Sequence, residues 1–407
     1  MKIALLHFTA PPVVGGVESV IAHHARLMCE NGQEVTIFAG RGEEFDPDIT
    51  VKVLPLLDSK NPEVLAVKSE LDRGIRSPAF ENLRHRIQNQ LLAELPGFDV
   101  LIAHNLASLN QNLALTAALF SSYSSPGFPR LILWHHDLAW TTPRYQNELH
   151  PGYPWDLLRS DWPGVIHVAI SETRRRELAS LMQIPVENIH VVPNGVELTS
   201  FFKLSDQTAQ LVEQLHLLEA DPLLLLPVRI TPRKNIELAL KILKELRGTF
   251  PNAMLVVTGP EGPHNPANNV YREMLIRNRN ELQLQGAAHF LAEINHDFLP
   301  DEMIADLYRL ADALLLPSRE EGFGIPLIEA GFSGIPVFCT DLPVFRELGG
   351  ADLTYFDPDA DPAGIAATIA FRMEAEMTLR WARHARHGYT WRSIYHRSIE
   401  PLLNQGG

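Results

Sequence analysis

At 407 residues the chain is longer than one hydrophobic core usually serves, so we expect two domains of about 200 residues each with a cleft between them. Its 35 Lys and Arg residues against 49 Asp and Glu give a formal net charge of −14, which argues against nucleic-acid binding and against adsorption to anionic membranes. The two cysteines, Cys29 and Cys339, lie far apart in sequence and form no metal or redox motif.

The same features predict a cytoplasmic protein with at most peripheral membrane contact. The apolar stretch at residues 1–8 is too short for a signal peptide, and no apolar run approaches the roughly 20 residues of a membrane span. Cysteines without a nearby partner fit a reducing compartment.

Short apolar runs alternate with longer segments of helical spacing, which is typical of βα units and a parallel sheet, and this pattern occurs twice. In the first half we predict strands at residues 3–8, 35–39, 51–54, 100–104, 130–134, 165–170 and 189–192. In the second half we predict strands at residues 223–228, 253–258, 288–291, 313–317, 336–339 and 353–355. Helices are predicted at residues 17–29, 171–181 (with Ser171 as cap) and 236–249.

A turn signal at residues 193–196, followed by the polar stretch 205–213, predicts the linker between the domains. We assign residues 1–195 to the first domain and 196–380 to the second. The aromatic and basic segment from about 381 to 407 is expected to pack back on the first domain. Residues 55–84 show no regular pattern and are predicted to form a long irregular excursion near the cleft.

The first predicted strand leads into Gly15 and Gly16 just before a helix, at the sheet edge where ligands of open α/β folds bind. Their amides are candidates for binding a phosphate. The GxGxxG fingerprint is absent there, which argues against a nicotinamide or flavin enzyme. A tight turn without a ligand is an equally good interpretation of the glycine pair.

The first strand of the second half ends at Arg229, and the following loop adds Arg233 and Lys234 before the next helix. A guanidinium fork and a compact ammonium together can neutralise a diphosphate and the charge on a departing nucleotide. Without other evidence, three such basic residues more often form a solvent-exposed turn than a binding site.

Histidines also collect at predicted strand ends in the first half. His104 ends one strand, and His135, His136 and Asp137 follow another. A zinc site is the rival interpretation, although no ligand spacing specifies it. We prefer the interpretation that one histidine hydrogen-bonds a sugar hydroxyl near the reacting carbon. For each histidine taken by itself, packing in the core explains its presence nearly as well.

Residues 321–329 read EGFGIPLIE and place Glu321 and Glu329 around a glycine-bracketed turn. Pro326 suits the first turn of a helix, so we predict a helix that begins near residue 325 or 326. Its free amides favour a phosphate or a hydroxyl-rich group. The segment therefore suits a phosphorylated sugar, and the alternative is an ordinary surface loop with an acidic helix start.

With these segments in order, the chain resembles the family 4 retaining glycosyltransferases of the GT-B fold over nearly its whole length. The matching motifs are GGVE at 15–18, NGV at 194–196, Arg229 with KN at 234–235, and the stretch 316–329. The resemblance implies an α/β protein of two Rossmann-like domains facing across a cleft. It also implies that the first domain mainly binds the acceptor and the second mainly binds the nucleotide-diphosphate sugar.

The resemblance further implies roles for residues of the second domain. Arg229 and Lys234 would hold the diphosphate, and Glu321 would bind hydroxyls of the transferred sugar. Glu321 would be assisted by the backbone amides of Phe323, Gly324 and Ile325.

Three other contacts follow from the same resemblance. Glu329 would grip the ribose diol, and residues 290–294, which include Glu293 and Ile294, would lie against the base. Gly15 and Gly16 would contact the phosphates. His136, or its neighbour His135, would reach the donor sugar near the anomeric carbon.

The family reaction keeps the anomeric configuration and is described as a front-face displacement in which the leaving phosphate helps to deprotonate the attacking hydroxyl. The resemblance therefore implies no cofactor besides the nucleotide sugar as co-substrate, and no metal. The one Asp-x-Asp match, at 357–359, follows the last predicted strand and is typical of a turn.

The sequence does not fix the substrates. Val228 stands where the family often has Gly, and residues 330–333 read AGFS rather than AMAC, but neither departure identifies the base. Frequency in the resembled family favours a UDP-glucose-like donor, with GDP-mannose second. The acceptor is expected to be a saccharide, as in polysaccharide biosynthesis, a lipid-linked sugar or a small metabolite. The alternatives are a sugar-nucleotide epimerase or hydrolase and an inactive sugar-nucleotide-binding protein.

Overall fold

The computed structural model of the protein describes residues 1–260, 267–294 and 299–405. The chain divides into two compact units. Unit 1 comprises Met1–Val196 together with the chain from Tyr389 onward, and unit 2 comprises Glu197–Gly388. The segment that returns to unit 1 thus begins at Tyr389 and not at about 381, because the chain from 381 to 388 stays with unit 2.

Unit 1 is built on a seven-stranded parallel sheet. Its strands are β1 (Lys2–His7), β2 (Glu34–Ala39), β3 (Thr50–Val53), β4 (Val100–His104), β5 (Arg130–His135), β6 (Ile166–Ala169) and β7 (Ile189–Val191). Their order is β3-β2-β1-β4-β5-β6-β7. The central strands are apolar on both faces, as expected of a sheet covered by helices on each side. The seven strands predicted from the sequence are confirmed, with ends that differ by a few residues at most.

Five helices of unit 1 connect these strands, namely α1 (Gly16–Glu30), α2 (Pro62–Leu71), α3 (Pro78–Glu94), α4 (Leu113–Ser122) and α5 (Glu172–Met182). Ser171 caps α5 through its side chain, which accepts a hydrogen bond from the amide of Arg174, as the sequence predicted. The chain from Tyr389 adds α15 (Trp391–Ile394), a π-helical turn (Tyr395–Ile399) and α16 (Glu400–Asn404). Trp391, Tyr395 and Leu402 belong to the unit 1 core.

The prediction of an irregular excursion at residues 55–84 was wrong, because α2 and the start of α3 occupy most of it. Each helix begins with a proline in its first turn, and Asn61 caps α2. The buried side chains of α3, Phe80, Leu83 and Ile87, are spaced at three and four residues and pack into the unit 1 core. Polar and charged residues between these positions hid the helical period.

Unit 2 is built on a six-stranded parallel sheet. Its strands are β8 (Leu223–Leu226), β9 (Met254–Val257), β10 (Ala288–Phe290), β11 (Ala313–Leu316), β12 (Val337–Thr340) and β13 (Thr354–Phe356), in the order β10-β9-β8-β11-β12-β13. All six predicted strands are confirmed. The helices are α6 (Leu198–Phe202), α7 (Asp206–Gln214), α8 (Ile236–Leu246), α9 (Ala267–Glu281), α10 (Asp301–Leu310), α11 (Ile325–Ser333), α12 (Pro343–Gly349), α13 (Pro362–Ala375) and α14 (Met377–Tyr389).

The polar stretch 205–213 is not a linker, contrary to the prediction. It forms α7, which Ser205 caps, and it buries Thr208, Leu211 and Val212 in unit 2. The charged and amide side chains that suggested a linker lie on the outer face of this helix, whereas Thr208 is buried. The change from unit 1 to unit 2 falls at Val196, directly after the predicted turn.

The strand order determines where ligands can bind. In unit 1 the chain builds outward from β1 in one direction and from β4 in the other, so the crevice between β1 and β4 is a topological switch point. In unit 2 the corresponding crevice lies between β8 and β11. The loops that follow these four strands carry most of the residues singled out in the sequence. Within the described part of the chain, no helix is long and apolar enough to cross a membrane.

Candidate functional site

The loops after β8 and β11 meet at the switch point of unit 2. The backbone amide of Arg319 donates a hydrogen bond to the carbonyl of Arg233 at 2.8 Å, which ties the two loops together. The ammonium of Lys234 donates to Oε2 of Glu321, and the side chains of this pair are only 8% and 13% exposed. Two residues 87 positions apart in the sequence thus form a sheltered ion pair at the sheet edge.

The other two cations lie on the same loop with more exposure. Arg233 Nη1 lies 3.9 Å from Glu321 Oε1. Arg229 is exposed and lies between the end of β8 and the turn that carries Arg233 and Lys234. The structure therefore brings Lys234 and Arg233 together with Glu321 and places Arg229 earlier on the same loop.

The turn between Glu321 and α11 has the backbone that the glycines predicted. Gly324 caps α11 with φ +98°, a left-handed conformation that an L side chain rarely adopts. A Cβ atom there would also lie 3.0 Å from the Phe345 ring. The helix begins at Ile325 with Pro326 in its first turn, so the predicted helix start is confirmed. Phe323 and Ile325 expose their side chains on this turn.

Glu329 lies one turn into α11 and is half-buried. Its Oε2 atom accepts a hydrogen bond of 2.7 Å from the hydroxyl of Tyr308, which lies on the neighbouring helix α10 and is 2% exposed. Tyr308 could not be connected with Glu329 from the sequence, because the two residues share neither a helix nor a motif.

Phe290 is the last residue of β10, and a short 3-10 turn at Leu291–Glu293 leads from it to Ile294. Phe290 is buried in the core of unit 2, whereas the Ile294 side chain is 44% exposed. Glu293 accepts two hydrogen bonds from Arg279, at 2.6 and 3.0 Å, so its carboxylate is already paired within unit 2. Of the residues predicted to lie against a base, Glu293 and Ile294 are both exposed, and the Ile294 side chain is the apolar one of the two.

The glycine pair of unit 1 lies at the start of α1, after β1. Gly15 precedes the helix in an extended conformation, and the Glu18 carboxylate folds back over it. Thr9 donates a hydrogen bond to Glu18 Oε1, and His7 Nε2 lies 4.0 Å from the same atom. Gly16 has open space around the position of a Cβ atom. In this structure a carboxylate therefore occupies the space beside Gly15.

His136 lies just after β5 and is 5% exposed. Its Nε2 atom is 3.1 Å from Nδ1 of His104 at the end of β4. The amide of His136 donates at 2.8 Å to Oδ1 of Asn105, a buried residue with φ 57°. Asn105 thus fixes the backbone that presents His136. Asn105 was not among the residues predicted from the sequence, although an Asn directly after a strand end is a known signal for a left-handed turn.

His135 points elsewhere. It is 1% exposed, and its Nε2 atom lies 3.1 Å from Nδ1 of His167, whose own Nε2 contacts Asp161 at 3.2 Å. The two neighbouring histidines therefore belong to two different buried pairs, and only His136 is paired with the histidine that ends β4.

Burial governs the protonation of these rings. It lowers the pKa of His136 to about 3, with a further contribution from His7. Burial also lowers the pKa of His104 and of His135 well below the ordinary value, followed by repulsion from neighbouring histidines. These imidazoles are neutral at pH 7 and act as hydrogen-bonding groups, not as cations.

The metal alternatives find no geometric support within the described ranges. No group of three or more His, Cys, Asp or Glu side chains there is placed to hold an ion. Asp357 accepts a hydrogen bond from the amide of Asp359 at 2.8 Å, so the Asp-x-Asp match is a turn, as the sequence predicted.

Two family models match the chain. The model described as Glycosyl transferases group 1 matches residues 208–387, and the one described as Glycosyltransferase Family 4 matches residues 14–200. Together they account for most of the sequence, and each falls largely within one of the two structural units.

Several relatives carry names for mannosyl transfer. Mannosylglucosylglycerate synthase of Petrotoga mobilis is 27% identical over 64% of this chain and 63% of its own length. Mannosylfructose-phosphate synthase of Agrobacterium fabrum is 29% identical over 51% of this chain and 46% of its own. MMP alpha-(1->4)-mannosyltransferase of Mycolicibacterium hassiacum is 24% identical over 97% of this chain and 96% of its own. The chain spans less than two thirds of the length of the first two.

Among solved structures, WaaG, a glycosyltransferase involved in lipopolysaccharide biosynthesis, is 16% identical and covers 100% of both chains with a TM-score of 0.37.

Proposed function

The chain belongs to the family 4 glycosyltransferases, and on that premise we propose that it is a retaining enzyme that transfers a hexose from a nucleotide-diphosphate sugar to a hydroxyl group. The observation that carries the proposal is the meeting of Lys234, Arg233 and Glu321 at the switch point of unit 2. Cations that could neutralise a diphosphate lie there beside a carboxylate that could bind sugar hydroxyls. Both are next to the N-terminal end of α11, whose first backbone amides have no acceptor within the helix.

The charges at this edge suit a departing nucleoside diphosphate. A lysine ammonium has three donors, and one of them is used by Glu321. The remaining donors, together with Arg229, would neutralise the charge that builds on the leaving phosphate. That phosphate would accept the proton of the attacking hydroxyl as the new glycosidic bond forms on the same face of the sugar. No carboxylate nucleophile is then required, and Glu321 is left to orient the sugar.

The role that we propose for the histidines of unit 1 is orientation. We propose that His136, which is neutral at pH 7, hydrogen-bonds the donor sugar near the anomeric carbon. The acceptor is proposed to bind mainly on unit 1. A saccharide, a lipid-linked sugar and a small metabolite with hydroxyl groups all fit this proposal.

The names of the relatives bear on the donor. Three of them name a mannosyl product or activity, which favours mannose over glucose as the transferred sugar. We therefore propose GDP-mannose as the first donor to test and UDP-glucose as the second, which reverses the order expected from family frequency. The structure of the described residues carries no feature that selects the base.

A binding screen followed by product analysis tests the proposal. Thermal shift against GDP, UDP and ADP and their common sugars should give a higher melting temperature with one nucleotide series, because a ligand that binds only the folded form stabilises it. The matching donor should then give a glycosylated product of retained configuration with a saccharide acceptor. Release of free sugar and nucleotide at full rate without any acceptor would instead indicate a hydrolase, and binding without turnover an inactive protein.

Metal dependence is a separate prediction. Because lysine and arginine side chains are proposed to neutralise the diphosphate, we expect transfer to persist after treatment with EDTA and to change less than about twofold on addition of Mg²⁺ or Mn²⁺. The measurement is the initial rate of product formation with and without each ion. Loss of activity in EDTA that is restored by one divalent ion would contradict the role assigned to these cations.

A further inference from the structure

We infer that Tyr308 is a positioning residue for nucleotide binding: its hydroxyl fixes one carboxylate oxygen of Glu329 so that the other is presented to the ribose diol. The inference rests on the proposed function, in which Glu329 binds the ribose. It adds a residue from a different helix, 21 positions earlier in the sequence, to the donor site.

The contact has the geometry of a strong hydrogen bond. Tyr308 Oη lies 2.7 Å from Glu329 Oε2 and 3.3 Å from the carbonyl oxygen of Pro326. A tyrosine hydroxyl has a single hydrogen, and a bond to a carboxylate is shorter and stronger than one to a neutral carbonyl. The hydrogen therefore belongs to the bond with Glu329.

The surroundings keep this donor in one state and one place. Tyr308 is 2% exposed and packs in the core of unit 2, so its ring has no room to turn away. Burial, and then the bond to Glu329, raise the pKa of Tyr308 above its ordinary value. The hydroxyl thus remains protonated over the whole range in which an enzyme would work.

The consequence for Glu329 is an asymmetric carboxylate. Oε2 is engaged by Tyr308, whereas no described residue donates a hydrogen bond to Oε1. A glutamate at a helix surface normally samples several rotamers, and an anchored one has already lost that freedom before a ligand arrives. The Tyr308 contact would therefore improve the binding of any ligand that reaches Oε1 with hydroxyl donors.

A purely structural role makes a different prediction. If Tyr308 only joins α10 to α11, removing its hydroxyl would weaken all ligands of unit 2 alike. If it positions Glu329 for the ribose, the loss would fall on ligands that have the ribose hydroxyls and would spare those that lack them. Deoxynucleotides separate the two roles.

The experiment measures the dissociation constants of GDP and UDP and of their 2′-deoxy and 3′-deoxy forms by isothermal titration calorimetry. In the unmodified protein, removal of the ribose hydroxyl bound by Glu329 should weaken binding roughly tenfold, the usual effect of losing a hydrogen bond to a charged group. Tyr308→Phe should weaken the parent nucleotide by roughly tenfold and bring the ratio between deoxy and parent forms close to one. Glu329→Ala should bring the ratio between deoxy and parent forms to one. Adding Tyr308→Phe to Glu329→Ala should change the dissociation constants little further.

Tyr395→Phe is the matched control. It also removes a buried tyrosine hydroxyl, but in unit 1 and without a hydrogen-bond partner among the described residues. It should leave the deoxy ratio unchanged. Melting curves of each variant show whether the fold is retained, which Phe favours because it fills the same volume.

The outcomes separate the two proposals. If Glu329→Ala abolishes the ratio and Tyr308→Phe preserves it, or weakens parent and deoxy forms equally, the positioning role is overturned while the ribose assignment stands. If the unmodified protein binds none of GDP, UDP and ADP, the proposed function itself is overturned. If it binds one of them and Glu329→Ala leaves the deoxy ratio of that nucleotide intact, the ribose assignment is overturned and the role of Tyr308 with it.

Discussion

The ion pair of Lys234 with Glu321 is a structural element of unit 2 to which we also assign a function. The Lys234 ammonium is sheltered and bonded to Glu321, so the pair survives only because each charge neutralises the other. Such a site is organised before a ligand arrives. A diphosphate would add negative charge beside an ammonium that is already held in place, which limits the reorganisation needed in the reaction.

We predict that Lys234→Ala lowers the transfer rate at saturating donor by roughly a hundredfold or more, because the leaving phosphate would lose the cation that we propose for it and Glu321 loses the hydrogen bond from Lys234. The measurement is kcat with the donor identified in the binding screen. Lys244→Ala, which removes an exposed lysine from α8, is the control and should leave kcat unchanged. Unchanged turnover in Lys234→Ala would remove this residue from the diphosphate site.

Helix α11 is the element that orients the second carboxylate. Its first residue is set by Gly324, whose left-handed backbone lets the chain turn from Glu321 into the helix while packing against Phe345. The position of Glu329 therefore depends on one backbone conformation five residues earlier. A change in that turn would alter both the free amides and the direction of the helix.

We predict that Gly324→Ala destabilises unit 2 by about 1–2 kcal/mol because of the left-handed backbone, with an added cost from the contact with Phe345. For a domain of this size each kcal/mol corresponds to about 2–4 °C in Tm. Nucleotide affinity should fall as well. Gly322→Ala is the control on the same turn, since a Cβ atom there meets nothing within 4 Å and the backbone is not left-handed. Equal effects of the two substitutions would contradict the role given to Gly324.

Over the whole molecule, buried histidines are unevenly distributed. Those that are buried among the described residues all lie in unit 1, namely His7, His24, His104, His135, His136 and His167. Burial is the main cause of the lowered pKa of each. Unit 1 therefore keeps a core of neutral imidazoles, whereas the same imidazoles in the unfolded chain are protonated below a pH of about 6.5.

This distribution predicts acid lability of unit 1. Below the unfolded pKa of about 6.5 the unfolded chain binds protons that the folded unit excludes, so stability is complete above that pH and falls as the pH drops toward 3. Each such histidine contributes up to about 1.4 kcal/mol per pH unit in that window. Tryptophan fluorescence mainly reports unit 1, since five of the six tryptophans lie there. On acidification the tryptophan fluorescence should therefore change at a higher pH than the part of the circular dichroism signal that comes from unit 2.

His24 offers a sharp test of that explanation. It is fully buried and neither ring nitrogen has a hydrogen-bond partner in the described chain, and burial lowers its pKa to about 3. His24→Leu should reduce the dependence of stability on pH by about one proton between pH 6 and 4, without affecting nucleotide binding. The quantity to measure is the free energy of unfolding by urea at several pH values. An unchanged slope would mean that other groups cause the acid lability.

The extent of sequence-based prediction differs between the elements and the site. Strands, the Ser171 cap and the start of α11 were predictable because they depend on residues within a few positions of one another. Helices α2 and α3 were not predictable, because polar residues interrupt the helical spacing of their apolar residues. The few apolar residues suffice for a helix only because they pack against the unit 1 core. Helix α7 was mistaken for a linker for the same reason.

The sequence by itself determined that each half carries a parallel sheet and that glycines, cations and carboxylates follow its strands. Only the tertiary structure decided which of them meet. Lys234 contacts Glu321 because β8 lies beside β11, His136 pairs with His104 because β5 lies beside β4, and Tyr308 reaches Glu329 because α10 packs on α11. Local propensities act over a few residues, whereas strand order and helix packing are set by the burial of the whole core, so the partners across the site are properties of the fold.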